Sequence, residues 1–167
     1  MTLKSLVTAA SLALSSDAAI ADDSAFVEFK VLKPEIALQA AVAAMEHCRA
    51  NGYQVGVAVV DRFGITQAFV RDRFAGAHTI ETATRKAWTA TSFRSSTTEL
   101  DLATRPGELA AGIRQVSDAL PLGGGLVIEE GAGSIVGGIG VSGAPGPDID
   151  DVCAEAGIAA IEDAIMF

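Results

Sequence analysis

The chain is 167 residues long, half of them hydrophobic, with 21 acidic against 12 basic residues and a formal net charge of −9. That balance excludes a nucleic-acid surface, because phosphate binding needs a basic face, and the length suits one compact domain rather than two. Seventeen glycines and the lack of long polar tracts point to tight turns and close packing instead of disorder.

The first 21 residues read as a secretory signal peptide. Lys4 precedes an apolar stretch over residues 6–14, too short to span a bilayer, and Ala19-Ile20-Ala21 forms a small-residue cleavage site. Residues 22–167 are then a single domain, periplasmic or secreted, with no further run long enough for a membrane span. Residues 22–33, with Phe26 and Phe29, form an arm that docks on the body or on a neighbouring copy.

Pro34 and Glu35 open a helix that runs to about Ala50, since proline suits the first turn and a carboxylate complements the positive end of the dipole. Asn51-Gly52 stops it. Residues 54–60 and 65–71 alternate around the turn Asp61-Arg62-Phe63-Gly64, which is a hairpin signal. A loop over 72–78 leads to a helix over 80–91 with Thr79 as N-cap. Residues 95–106 are rich in Ser and Thr and read as loop, and residues 108–120 hold a short helix interrupted near Gly112. Strands over 126–129 and 134–142 make a second hairpin around residues 130–133, and Asp148 caps a last helix reaching the C-terminus. Adjacent hairpins imply an α+β layered domain, an antiparallel sheet with helices packed on its faces.

Within the last strand Ile135, Ile139 and Val141 share one face while Gly138, Gly140 and Ser142 leave the other nearly bare. A bare face invites close approach by a helix, a second chain or a flat ligand. Ala37, Ala41, Ala44 and Cys48 form a small-residue stripe on the first helix, matched in spacing by Cys153, Gly157, Ala160 and Ala164 on the last. Antiparallel packing of the two stripes sets Cys48 opposite Cys153. A disulfide there and a pair of buried free thiols are both compatible with the spacing.

Candidate chemistry is sparse. His47 sits late in the first helix, where its charge complements the dipole. His78 ends the loop Gly76-Ala77-His78 at the mouth of a helix, where an imidazole is fixed by backbone yet reaches solvent or a ligand. Arg71, Arg73, Arg85 and Lys86 cluster around it in sequence, either to face ligand carboxylates or to neutralise Asp72 and Glu81. His78 and Glu81 alone are weak evidence for a metal site, no G-x-S-x-G elbow is present, and acidic residues 148, 150, 151 and 155 would repel a pyrophosphate at the last helix.

The segments from Val57 to Gly64 (VAVVDRFG), from Gly76 to Ala90 (GAHTIETATRKAWTA), Gly123 to Gly125 and Gly137 to Gly146 (GGIGVSGAPG) together resemble the GlcG/HbpS-like family of haem-degrading or haem-binding domains. The resemblance implies a profilin-like fold, homo-oligomers up to octamers, and binding of haem or a related tetrapyrrole. It makes His78 the candidate ligand to haem iron and sets Arg71, Arg73, Arg85 or Lys86 near the propionates, while Lys86 and the glycine motif, common to members with different ligands, suit a fold or assembly role. Haem sequestration or buffering, with slow oxidative haem degradation, is the expectation; a small-molecule or corrinoid sensor or accessory subunit without catalysis is the alternative. No catalytic set supports a dedicated enzyme.

Overall fold

The computed structural model describes residues 25–166, so the expected leader over residues 1–21 lies outside the described residues. Helix α1 (Pro34–Ala50) is followed by the hairpin β1 (Gly56–Asp61) and β2 (Thr66–Arg71), then α2 (Thr79–Phe93) and α3 (Thr97–Ala103). A 3-10 turn over Ala111–Gln115 leads to the second hairpin, β3 (Gly125–Glu129) and β4 (Ile135–Ser142). Helices α4 (Pro147–Ala159) and α5 (Glu162–Ile165) end the described chain. The strands form one antiparallel sheet in the order β2-β1-β4-β3, with Val57 opposite Val141 and Ala58 opposite Gly140. This is the α+β layered architecture that the two hairpin signals imply.

Alternation along β1 assigns the layers. Val57 and Val59 join Ile139, Val141 and the alanine stripe of α1 in the larger core, beneath α1 and α4. Ala58 and Val60 face the opposite way and meet Ala83 and Ala87 of α2. Sandwiched strands bury both faces, which explains the nearly continuous apolar run in β1.

The bare face of β4 receives α2. A Cβ on Gly140 would come within 2.6 Å of the Ala87 amide nitrogen, and one on Gly138 within 3.0 Å of the Ala87 carbonyl oxygen. Of the three occupants that the glycine spacing allows, the helix backbone is the one present, and any side chain at these positions would force it away from the sheet.

The seam between α1 and α4 forms as far as Gly157, whose missing side chain leaves room for the Ala40 carbonyl and the Ala44 methyl. Cys48 and Cys153 are disulfide-bonded with their Cα atoms 5.6 Å apart. Beyond this the expected continuous helix is corrected. It stops at Ala159, the Gln39 amide donates to the Ala160 carbonyl at 2.8 Å, and the Gly131 amide donates to the Ile165 carbonyl at 3.0 Å. Carbonyls taken by neighbours need no further helical turns. Ala160 and Ala164 are consequently exposed rather than paired across the seam.

Three other local expectations change. Residues 95–106 are not a loop throughout, because Ser96 and Glu99 form a reciprocal capping box that starts α3. Thr79 is the first residue of α2 rather than its cap, and its hydroxyl donates to the Gly76 carbonyl at 2.8 Å. Gly146 occupies the N-cap of α4 in place of Asp148, with Pro147 at the first helical position.

The arm over residues 25–33 is tied to the body at Glu130, which accepts from the Lys30 ammonium at 2.8 Å. That bond, helped by the Ala132 backbone amide, holds the Glu130 carboxyl down at about 2. A lowered carboxyl contributes stability above its ordinary value and loses it as the pH falls toward the lowered one. The contribution of this pair to docking of the arm is therefore fully present above about pH 4.5 and falls away on acidification toward pH 2, while the Gln67 bond to the Leu32 carbonyl remains. Because Lys30 is well exposed, added salt weakens the tie. Carboxyl-detected NMR is expected to give a Glu130 midpoint near 2 that rises in Lys30→Ala; an ordinary midpoint in the unmodified protein refutes the tie.

Candidate functional site

One end of the sheet opens into a groove of about 650 Å³. Tyr53 and Gln54 arrive from the chain entering β1, Phe74, Gly76 and His78 from the loop before α2, and residues 142–147 from the turn between β4 and α4. Leu122 lines it too, while Lys86 and Asp150 also contribute to the lining.

His78 stands at the edge. It is solvent-exposed at the N-cap of α2, and its backbone carbonyl accepts from the Thr82 amide and hydroxyl. Its imidazole makes no hydrogen bond among the described residues and lies edge-on over Gly76. A Cβ on Gly76 would meet the ring at Cε1 (2.6 Å) and Nδ1 (2.7 Å), whereas Nε2 stands off at 3.8 Å. The glycine thus makes the seat for the ring and leaves Nε2 as the nitrogen turned away from it. His78 also lines a shallower depression on the flank of α2, shared with Ile80, Glu81, Arg85 and Asp118.

The loop carrying this histidine is pinned at its base. Asp72 is buried and accepts from the Arg49 guanidinium of α1 at 2.8 Å, which holds its carboxyl below the usual range despite burial. The Asp72 amide donates to the Val55 carbonyl at 2.9 Å, and the Arg71 guanidinium donates to the Ala75 carbonyl. A loop tied to a helix and to a strand presents its side chains from a fixed platform.

Of the basic residues grouped with His78 by sequence, only Lys86 lines the groove, and its charge is paired. It meets the Asp150 carboxylate at 2.7 Å and the Val141 carbonyl at 2.9 Å, with both side chains buried. Burial pushes the Asp150 carboxyl up, against the pull of Lys86. Asp150 also accepts from the Ala144 amide at 3.1 Å, so the pair ties α2, β4 and α4 together beneath the groove. Arg85 shares the flanking depression with His78, bonding to Glu81 at 3.2 Å and to the Asp118 and Ala119 carbonyls. Arg73 lies 3.8 Å from Asp72 and is mostly exposed. His47 does not line His78's groove but a small separate cavity beside Cys153, with Tyr53 as the wall the two share.

Tyr53, Gln54, Phe74 and Leu122 were not among the sequence candidates. Three of them belong to loops whose convergence depends on the strand order. Gln54 lines the groove, and its amide oxygen is buried without a hydrogen-bond partner among the described residues. Exposed Phe74 and Leu122 give the rim apolar surface beside the imidazole. A rim ring nitrogen with no competing bond and apolar neighbours fit a large flat ligand bearing a metal at its centre. No group of three or more metal-ligating side chains is present among the described residues.

Residues 32–159 match the model of a family described as haem degrading protein, HbpS-like. Among solved structures, a double mutant of HbpS from Streptomyces reticuli is 36% identical, with a TM-score of 0.78 over 87% of this chain and 98% of that one. Klebsiella pneumoniae ORFY is 25% identical, with a TM-score of 0.78 over 82% and 94%. PduOC, solved as a haem complex, is 29% identical, with a TM-score of 0.72 over 78% and 95%. No curated protein matches significantly.

Proposed function

The chain belongs to the HbpS-like family of haem degrading proteins, and from that premise we propose that it is an exported protein that binds and buffers haem in the groove at the start of α2. The observation that carries the reading is the His78 imidazole, seated on Gly76 with Nε2 turned away and no hydrogen bond to lose. An imidazole nitrogen so presented can hold haem iron from one side. Phe74 and Leu122 flank the apolar macrocycle, and Arg85, which shares the adjoining depression with His78, exchanges its exposed Glu81 partner for a propionate. Tyr53 lines the same groove and brings a phenol, a known oxygen ligand type for haem iron.

Lys86 serves the site by holding its floor, because its charge is already matched by Asp150. Bound haem supplies redox chemistry with oxygen or peroxide, so slow degradation of the macrocycle needs no acid/base residue from this chain. Export is supported by the leader pattern in the sequence and by the Cys48–Cys153 bridge, which suits an oxidising compartment. Assembly into a homo-oligomer completes the proposal.

Haemin titration tests it. The unmodified protein develops a shifted Soret band, and His78→Ala weakens binding by about tenfold or more, as expected for loss of an axial ligand, whereas His47→Ala leaves it unchanged. Identical spectra for all three proteins remove the ligand assignment. Thermal shifts with cobalamin and small organic acids run alongside, and stabilisation by one of these but not by haemin favours a sensor or accessory role.

A further inference from the structure

At the other end of the sheet a second concavity, of about 520 Å³, is lined by Arg62, Phe63, Thr91, Ser92, Arg94, Gly133, Ser134 and Ile135. Its walls are the β1–β2 turn, the C-terminal end of α2 and the chain leading into β4. Its charge is out of character for so acidic a chain. Among the described residues five arginines, at 49, 73, 85, 105 and 114, are paired with carboxylates, and Arg71 donates to a carbonyl. Arg62 and Arg94 have neither an ion pair nor a guanidinium hydrogen bond, and both line this one cavity.

The carboxylate nearest in sequence is occupied elsewhere, since Asp61 accepts from the Phe63 and Ile65 amides at 2.8 and 3.0 Å. The Arg62 guanidinium is fixed by stacking, 4.1 Å from the Phe29 ring centroid. Arg94 is held at a left-handed position, φ 56°, as the C-cap of α2. A cation there complements the end of the helix dipole, which accounts for one charge but not for the second arginine facing the same space. Among the described residues the hydroxyls of Ser92 and Ser134 make no hydrogen bond, whereas that of Thr91 is committed to the Ala87 carbonyl at 3.0 Å. The cavity therefore offers two guanidinium forks and two hydroxyl donors with no carboxylate in its lining.

We propose that this cavity is a binding site for a small dianionic oxyanion, a phosphate or a compact dicarboxylate, separate from the His78 groove. Two forks and two hydroxyls match the several acceptor lone pairs of such an ion, and a monoanion leaves one guanidinium unneutralised. The local positive field also reverses, over a short range, the repulsion that the net charge imposes on anions.

The test is an amide chemical-shift titration of the full-length protein with inorganic phosphate and, in a parallel arm, with succinate at matched ionic strength. Saturable shifts confined to residues near 62, 92, 94 and 134 are expected in at least one arm, and the arm that saturates at lower concentration identifies the oxyanion class. Arg62→Gln and Arg94→Gln each weaken that binding by about tenfold, the usual loss for a charge-assisted hydrogen bond, and leave the haemin Soret titration unchanged. Absence of saturation by about 20 mM in both arms, well beyond a millimolar dissociation constant, overturns the proposal. So does haemin binding that is lost in the two arginine variants, since the cavity would then serve the tetrapyrrole.

Discussion

Replacing Cys48 and Cys153 together by alanine is expected to lower the stability of the protein by about 4 kcal/mol and its melting temperature by roughly 8–16 °C. The bridge spans 105 residues of sequence, so in the chain-entropy picture it removes much of the freedom of the unfolded chain. Both sulfurs lie in the larger core between α1 and α4, where alanine leaves a small void but no unpaired polar group. The two helices remain in register through Gly157 and the alanine stripe, so the variant folds with the same far-UV spectrum while melting earlier. Thermal melts of oxidised protein beside the double variant measure the difference. A loss under about 1 kcal/mol means that the unfolded chain is not restrained by the bridge.

The second large effect is expected at Lys86. Lys86→Met removes the partner of a carboxylate that is 4% exposed, and an abandoned buried charge costs about 3–5 kcal/mol. The stranded Asp150 keeps only the Ala144 amide, while the Val141 carbonyl loses its donor. Asp150→Leu strands the ammonium in turn. The combined variant Lys86→Met with Asp150→Leu is expected to lose at least about 2 kcal/mol less than the two single losses added together, because neither charge is then left alone. Denaturant unfolding of the four proteins supplies the cycle, and strict additivity means that the pair is not coupled. Because these side chains form the groove floor, the single variants also weaken haemin binding without touching His78.

Short-range signals carried much of this architecture. Alternation around residues 61–64 and 130–133 reads directly as hairpins, and the small-residue stripes ending in Cys48 and Cys153 anticipate a close helix pair. The capping box of α3 is visible as Ser96-Thr-Thr-Glu99, yet the surrounding hydroxyl-rich stretch resembles loop composition, and the box outweighs it. What was not legible is long-range. Lys86 and Asp150 are 64 residues apart and Arg49 and Asp72 are 23 apart, so proximity in sequence grouped Lys86 with arginines that it does not join. Tyr53, Gln54 and Leu122 meet His78 only because β1 lies between β2 and β4, a fact of strand order rather than of local pattern.

The contact between α2 and the side-chain-free stripe of β4 has a mechanical consequence. The helix rests on the sheet at backbone distance, its midpoint anchored from below through Lys86, and it carries His78 at one extremity and Arg94 at the other. At the rise of an α-helix those two cap positions stand about 24 Å apart. With no slack beneath it, this strut behaves as a ruler: whatever occupies either end must conform to a spacing and direction settled during folding.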